Sequence, residues 1–163
     1  IDAVIWFIEN IFLKLESNIN FYIVGANPTE RILKYAQLYK NIIITGFVED
    51  PYEILNSCFC IVVPMQTGAG IQNKLLETMA LGTINIVSSL AAGPIGAINE
   101  RDFIVLDNPN EIIKKINSIY INNENYSFLK DSSRKFIKNN FTWSAYEKVY
   151  VDTIEEILND NKK

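Results

Sequence analysis

The sequence contains no histidine and only two cysteines, Cys58 and Cys60. A structural zinc site needs about four cysteine or histidine ligands, and a disulfide framework needs several cysteines, so neither is expected. The spacing in "CFC" predicts that both thiols point to one face of a buried strand. Free, buried thiols are typical of a reducing compartment, and we therefore expect a cytoplasmic protein without a metal site.

Long hydrophobic runs and an excess of positive charge are also missing. No apolar run approaches the roughly 20 residues of a transmembrane helix, and the first residues lack the layout of a secretory signal. Lysine and arginine total 15 against 19 aspartate and glutamate, for a net charge of −4. Neither nucleic acid nor a membrane surface is therefore an expected partner.

The remaining composition is that of one folded domain. The chain has 163 residues, of which 48% are hydrophobic, and this length allows a proper core. It begins at Ile1 and enters a helical pattern at once. We expect residues 1–163 to form a single domain taken from a longer protein.

Helical and strand patterns alternate along the chain. Several strands are continuous apolar runs, which is typical of a parallel sheet covered by helices on both faces. We predict an α/β fold, a Rossmann-like doubly wound parallel sheet with a helical C-terminal tail. In such sheets, ligands bind beyond the carboxyl ends of the strands. The predicted strands are 21–26, 41–47, 58–64, 84–89 and 102–107, and the predicted helices are 2–16, 28–39, 51–56, about 70–81, 109–121, 124–139 and 142–159.

The stretch "GAGIQNKLLETMALG" follows the third predicted strand. Gly68 and Gly70 permit positive φ angles and a close approach of the backbone to a ligand. The first turn of the following helix leaves N–H groups unpaired at the positive end of the helix dipole. Together these features suit a phosphate or pyrophosphate. A tight turn between strand and helix explains the glycines equally well.

Lys74 and Glu77 are three residues apart on this helix. An ordinary surface ion pair has this spacing. Glu77 could instead accept hydrogen bonds from the hydroxyls of a ribose whose phosphates lie at the helix start, as acids do in dinucleotide folds. At 100° per residue the pair lies on the side of the helix opposite the apolar residues, with Thr78 and Leu81 on either side of it. The apolar side, which should face the sheet, is formed by Leu75, Leu76, Met79 and Ala80.

Several segments in order resemble one family: "FYIVGANP", "NIIITGFVEDPYEIL", "CIVVPMQTGAGIQNKLLETMALG" and "IVSS". They are similar to the C-terminal, nucleotide-sugar-binding half of GT-B glycosyltransferases of family 4, the glycosyl transferases group 1 type. The resemblance extends from about residue 3 to the "FTW" at 141–143. It implies the donor-binding half of a retaining, hexosyltransferase-type enzyme that transfers a sugar from a nucleoside-diphosphate sugar to an acceptor in glycan or polysaccharide biosynthesis.

The resemblance also implies roles for individual residues. Glu77 would be the second acid of the E-x7-E motif and would bind the ribose of the donor. Lys74 would lie near the phosphate or ribose, and neither a metal nor a cofactor would be needed. The segment Gly46, Phe47 and Val48 would help to form the base pocket, Gly25 would leave room beside the donor, and the backbone of Gly68, Ala69, Gly70 and Ile71 would face the diphosphate and the sugar.

This chain departs from the family pattern in several places. Ala69 stands eight residues before Glu77, so the first acid of the motif is absent, and Ile84 and Asn85 replace the usual proline and valine. The resemblance implies that three further parts of the family's enzymes lie outside this chain: the first strand of the C-terminal half, the arginine and lysine that hold the pyrophosphate near it, and the N-terminal acceptor-binding domain. The catalytic set is therefore incomplete here, and we expect no transferase activity from the chain alone.

Two other functions are compatible with the same patterns. The first is a non-catalytic Rossmann-like nucleotide-binding or interaction module, which the alanine at position 69 supports. The second is another α/β enzyme, such as a nucleotide-sugar epimerase. That enzyme needs an acid and a base in its cleft, and the lack of histidine and the scarcity of loop acids disfavour it.

Overall fold

The computed structural model describes residues 1–15 and 18–160. The strands are β1 Phe21–Val24, β2 Ile42–Gly46, β3 Ile61–Val63, β4 Asn85–Val87 and β5 Ile104–Val105. The helices are α1 Asp2–Asn10, α2 Glu30–Leu38, α3 Pro51–Ser57, α4 Asn73–Leu81, α5 Ser89–Ala92, α6 Pro109–Ile121, α7 Ser127–Asn140 and α8 Trp143–Asp160, with 3₁₀ turns at Phe12–Lys14 and Asn123–Tyr126. The first helix, predicted for residues 2–16, ends at Asn10 and is followed by the 3₁₀ turn, because the backbone of Ile11 leaves the helical conformation. Its predicted end at residue 16, and residues 161–163, lie outside the described residues.

The strands form two parallel sheets. One has the order β1-β2, with Phe21 opposite Ile42, and the other has the order β3-β4-β5, with Ile61 opposite Asn85. The predicted parallel α/β architecture is confirmed. Among the described residues the strands do not form one continuous sheet: no hydrogen-bonded ladder joins β1 to β3.

Alternate strand residues contribute to two separate cores. Ile86 of β4 packs in a cluster with residues of α1 and α6, whereas the next residue, Val87, packs in a cluster with residues of α4, α5 and α7. Val62 and Val63 of β3 divide between the same two clusters. Since successive side chains of a strand point to opposite faces, helices cover both faces of this sheet. The fold is therefore doubly wound.

Several helices begin where a strand ends, and short polar side chains fix their starts. Asp50 accepts a hydrogen bond from the Tyr52 N–H at 2.8 Å, and Asn108 accepts from the Asn110 N–H at 2.9 Å. A proline follows each of these two residues, at a position where its missing N–H costs little. The helix starts are thereby held at the carboxyl edge of the sheets.

Two further local predictions differ from the structure. The strand predicted to reach residue 89 ends at Val87, because Ser88 caps a short helix, α5, that the sequence pattern did not indicate. Cys58 and Cys60 do not share a strand face: α3 ends at Ser57, and β3 begins only at Ile61. The Cys58 thiol instead donates to the Ile54 carbonyl at 3.2 Å, and both cysteines are free.

The helices of residues 1–15 and 18–160 include none with the length and apolar composition of a membrane span.

Candidate functional site

The loops that follow β1 and β2 meet at the carboxyl edge. Gly25 and Gly46 form an isolated bridge, and the Gly25 N–H donates to the Thr45 hydroxyl at 3.4 Å. The next side chain, Phe47, is 82% exposed. The structure thus brings Gly25 beside the predicted base-binding segment and leaves an aromatic ring open to solvent there.

The loop from β3 to α4 is exposed from Gln66 to Ile71. Gly68 and Gly70 have φ angles of 119° and 81°, a region that side chains other than glycine's rarely adopt. A Cβ atom on Gly68 would also lie 2.9 Å from the terminal methyl of Met65. The glycines are therefore required by the path of the loop, whose backbone remains accessible.

The N-terminus of α4 opens towards this loop. Gln72 precedes the helix without capping it through its side chain, and the N–H groups of Leu75 and Leu76 both donate to the Gln72 carbonyl. Within the described ranges, no hydrogen bond uses the N–H of Asn73 or Lys74. Free N–H groups at a helix start carry partial positive charge and can bind an anion.

Lys74 and Glu77 are both exposed. No ion pair or hydrogen bond joins their side chains to each other or to another residue that the structure describes. The interpretation of the two residues as a surface ion pair is therefore not supported by the geometry. A free ammonium group and a free carboxylate lie on the first two turns of the helix.

The rotation of α4 differs from the helical-wheel prediction. Thr78 is 4% exposed, although it was expected beside the polar pair, and Ala80 is exposed, although it was expected to face the sheet. The Thr78 hydroxyl contacts the carboxamide oxygen of Asn85, at 2.7 Å, and the Leu75 carbonyl, at 3.0 Å. A buried polar partner on β4 therefore holds Thr78 inward. The asparagine within an otherwise apolar strand was the signal for this contact.

A second polar link at the carboxyl edge joins the ends of β4 and β5. The Asp107 carboxylate accepts from the Ser89 N–H at 2.9 Å and from the Ser89 hydroxyl. Sequence reasoning did not identify this pair, because residues 18 positions apart give no local pattern. The Asp107 carboxylate is therefore already hydrogen-bonded within the chain, whereas the Glu77 carboxylate is free.

Of the predicted donor-binding residues, Lys74 lines a cavity and the others do not. Lys74 lines a cavity together with Val24, which precedes Gly25, and Pro64, which begins the loop before α4. Glu77 and the segment 46–48 do not line this cavity. Within the described part of the chain, no group of three or more cysteine, aspartate or glutamate side chains is arranged to hold a metal ion.

Comparison with known proteins identifies the family. Residues 1–122 match the family described as "Glycosyl transferases group 1". An uncharacterized glycosyltransferase of Methanocaldococcus jannaschii, MJ1069, is 28% identical over 152 residues, which cover 89% of this chain and 39% of the relative. The chain thus spans about two fifths of the length of this curated relative.

Two solved structures share the fold. Alr3699/HepE of Anabaena, solved in complex with UDP, superposes with a TM-score of 0.73 at 11% identity, over 91% of this chain and 44% of that protein. TarM superposes with a TM-score of 0.74 at 19% identity, over 90% of this chain and 31% of TarM. The predicted resemblance to a GT-B glycosyltransferase domain is confirmed by the family match and these two folds. The chain belongs to the glycosyl transferases group 1 family.

Proposed function

We propose that this chain is the donor-binding half of a retaining glycosyltransferase that uses a nucleoside-diphosphate sugar. The observation that carries the proposal is the exposed, unpaired state of Lys74 and Glu77 beside the uncapped start of α4. In the sequence, these features come directly after the exposed glycine loop. The chain also belongs to a sugar-transfer family. The presence of UDP in the structure of HepE, a protein of the same fold, supports a nucleotide ligand.

The donor would bind along the carboxyl edge. Its diphosphate would accept hydrogen bonds from the N–H groups of Asn73 and Lys74 and from the backbone of residues 68–71, while the Lys74 ammonium group balances its charge. Glu77, one turn further along α4, would accept from the ribose hydroxyls. The base would lie against residues 46–48, with Gly25 leaving space beside the donor. No metal or cofactor is part of this proposal.

The same groups would also act during transfer. As the bond from the sugar to the diphosphate breaks, negative charge grows on the leaving phosphate oxygens. Fixed N–H donors and a nearby ammonium group stabilise such charge without needing to reorganise. In our proposal the acceptor binds to a second, N-terminal domain of a longer cytoplasmic protein. That protein acts in glycan or polysaccharide biosynthesis. The 163-residue chain alone should therefore bind the nucleotide weakly and transfer no sugar.

Titration of the ¹⁵N-labelled chain with UDP, GDP and ADP tests this proposal. At least one nucleotide should shift the amide resonances of Gly46, Gly70 and Glu77. Amides at the opposite edge, such as those of Lys40 before β2 and Glu124 near the start of β3, serve as controls. Shifts confined to the control edge would show that the proposed site is wrong.

Ala69 supports a second candidate, a nucleotide-binding module without transfer chemistry. A methyl group stands where the family motif has its first acid, which normally touches the transferred sugar. An assay of a longer protein containing this chain against UDP-, GDP- and ADP-sugars separates the two functions. Sugar transfer excludes the module, whereas nucleotide binding with neither transfer nor donor hydrolysis excludes the enzyme.

A further inference from the structure

Strand β2 is an edge strand whose outer side has no partner among the described residues. It pairs with β1 alone, so one of its two rows of backbone N–H and C=O groups faces away from the sheet. Its five residues, "IIITG", include neither a proline nor a charged side chain. Proteins commonly prevent pairing at an exposed edge with residues of these two kinds. The outer edge of β2 is therefore open to another strand.

The hydrogen bonds of β2 show which of its backbone groups are unpaired. The Asn41 carbonyl accepts from the Phe21 N–H and so points towards β1, which directs the backbone groups of Ile42 and Ile44 to the outer side. The Ile42 N–H donates to the Tyr39 carbonyl at 3.0 Å and is used within the chain. In the described part of the molecule, the Ile42 C=O and both backbone groups of Ile44 have no hydrogen-bond partner. Unpaired groups of this kind are what an added β-strand satisfies.

The unpaired groups select one arrangement for two copies of this chain. In an antiparallel ladder, two residues that lie opposite each other can exchange both of their N–H···O=C bonds. A two-fold axis at Ile44 lets the Ile44 residues of two copies exchange both bonds, and each contact then occurs twice. An axis at Ile43 would instead require the Ile42 N–H, which already donates to Tyr39. The strand is therefore self-complementary in the Ile44 register.

The charges that flank β2 are complementary in this register. Lys40 lies before the strand and Glu49 after it, and both side chains are exposed. Neither side chain forms an ion pair with another residue that the structure describes. An axis at Ile44 puts Lys40 opposite residue 48 of the second copy, next to its Glu49. An ammonium group and a carboxylate would therefore meet at both ends of the ladder.

Large apolar side chains at the two ends of β2 fit the same arrangement. Leu38 and Tyr39, before the strand, are 73% and 38% exposed, and Phe47, after it, is 82% exposed. Antiparallel pairing brings the start of one strand beside the end of the other. Tyr39 of one copy and Phe47 of the other would lie diagonally across the ladder, within reach of each other. Association would thus remove apolar surface from water at both ends.

We propose that the outer edge of β2 is a homodimer interface, in which β2 pairs with β2 of a second copy of this chain about a two-fold axis at Ile44. The two copies would share one antiparallel ladder, and the strand order across the axis would be β1-β2-β2-β1. The proposal rests on β2 and the residues that flank it. It stands whether or not the chain binds a nucleotide.

Sedimentation equilibrium of the chain and of charge variants tests the proposal. The chain should form a dimer below about 1 mM. Lys40→Glu puts two carboxylates together at each end of the ladder and should weaken the dimer about tenfold. Glu49→Lys alone should also weaken it, although this change brings the net charge closer to zero. The double variant should recover most of the affinity. Within one copy the five residues of β2 separate the two positions by about 16 Å, so the recovery must come from contact between copies.

Lys114→Glu is the matched control, because it makes the same charge change at an exposed position on α6. It should change the dissociation constant of the dimer less than about twofold, since exposed charges far from an interface are screened by salt. The proposal is overturned by a chain that stays monomeric at about 1 mM. Equal effects of Lys40→Glu and Lys114→Glu, or a double variant no tighter than the single variants, would overturn it as well.

Hydrogen exchange identifies the surface through which the copies associate. The Ile44 amide should exchange at least about tenfold more slowly in the dimer than in the monomer, because its N–H enters the new ladder. The amide of Ile86, inside the three-stranded sheet, should not change. Helix α8 also exposes a large side chain, Trp143, which is 92% exposed. A dimer formed through α8 would leave the Ile44 amide unprotected, and that result would show the proposal to be wrong.

Discussion

The Thr78 hydroxyl on α4 donates to the carboxamide oxygen of Asn85 on β4 over 2.7 Å, and both side chains are buried. The same amide donates to the Thr83 carbonyl at 3.0 Å. This contact fixes the rotation of α4 about its axis, which in turn directs Lys74 and Glu77 to solvent.

Removing one partner of this contact should destabilise the fold. Thr78→Val leaves the buried Asn85 oxygen with only the distant Thr83 hydroxyl, at 3.5 Å. An unsatisfied buried polar group costs about 1–3 kcal/mol, so the urea midpoint should fall. The double variant Thr78→Val with Asn85→Val should lose less than the sum of the single variants, because neither partner is then left unpaired. Strict additivity would contradict the role assigned to this contact.

Gly82→Ala should also destabilise the chain. Gly82 ends α4 with a φ angle of 70°, and a Cβ atom there would clash with the guanidinium group of Arg134. The Arg134 guanidinium donates to the Leu81 carbonyl at 2.6 Å and so caps the helix. The left-handed backbone alone costs about 1–2 kcal/mol for alanine, and the clash displaces the cap. Gly93→Ala is the matched control: its φ of −50° suits alanine, so unfolding free energies should show little loss.

Acid should weaken the contact between the β5 region and α7 through Asp102. Burial raises the pKa of this carboxyl, but hydrogen bonds from Arg101, from the Ile98 N–H and from Ser132 outweigh burial and hold the pKa below its ordinary value. A lowered folded-state pKa stabilises the fold above the unfolded value of about 3.9, and this stabilisation is lost as the pH falls through the folded value. Urea unfolding between pH 6 and pH 3 should show this loss.

Asp102→Asn supplies the control for the acid effect. The variant should be less stable than the parent chain at pH 6, since the amide cannot accept the same hydrogen bonds from Arg101 and Ile98. Its stability should fall less steeply below about pH 4, because the titrating group is gone. Identical pH slopes for the two proteins would show that other carboxyls cause the acid effect.

Both thiols should react slowly with disulfide reagents, and Cys60 more slowly than Cys58. Burial raises the pKa of Cys60 to about 12, with a further contribution from Cys58, and burial also raises the pKa of Cys58. At pH 8 about one Cys60 thiol in ten thousand would then be ionised, and the thiolate is the reactive form. Cys60→Ser and Cys58→Ser each leave one thiol, so their rates with an aromatic disulfide can be compared directly.

Glu77→Ala should weaken binding of the nucleoside diphosphate that the titration identifies by about tenfold or more, the value of one lost hydrogen bond to a charged group. Calorimetry with that nucleotide and with its 2′-deoxy analogue sharpens the test. The parent chain should bind the deoxy ligand more weakly, whereas the variant should not distinguish the two. Glu124→Ala, which removes an exposed acid at the opposite edge, should leave both affinities unchanged. A variant that still prefers the ribonucleotide would show that another group binds the ribose.

Much of the fold could be predicted from local patterns. The strands at 21–26 and 41–47 and the helix ending at Gly82 were predicted close to their observed positions, because apolar runs and a C-terminal glycine act over short distances. The positions of Lys74 and Glu77 on one exposed side of α4 were also predicted correctly. The burial of Thr78 was not, since a helical wheel does not include the partner Asn85 on the next strand.

The sequence by itself determined the alternation of strands and helices, the glycine loop before α4 and the family to which the chain belongs, because each depends on residues near one another in the chain. Only the tertiary structure decided that β1 and β3 lie on either side of an apolar cavity without pairing. It also decided that the Asp107 carboxylate is hydrogen-bonded to Ser89, whereas the Glu77 carboxylate is free. These outcomes depend on which edges and polar groups find partners in space. The choice of partner depends on how elements far apart in sequence pack together, and local periodicity carries no information about that packing.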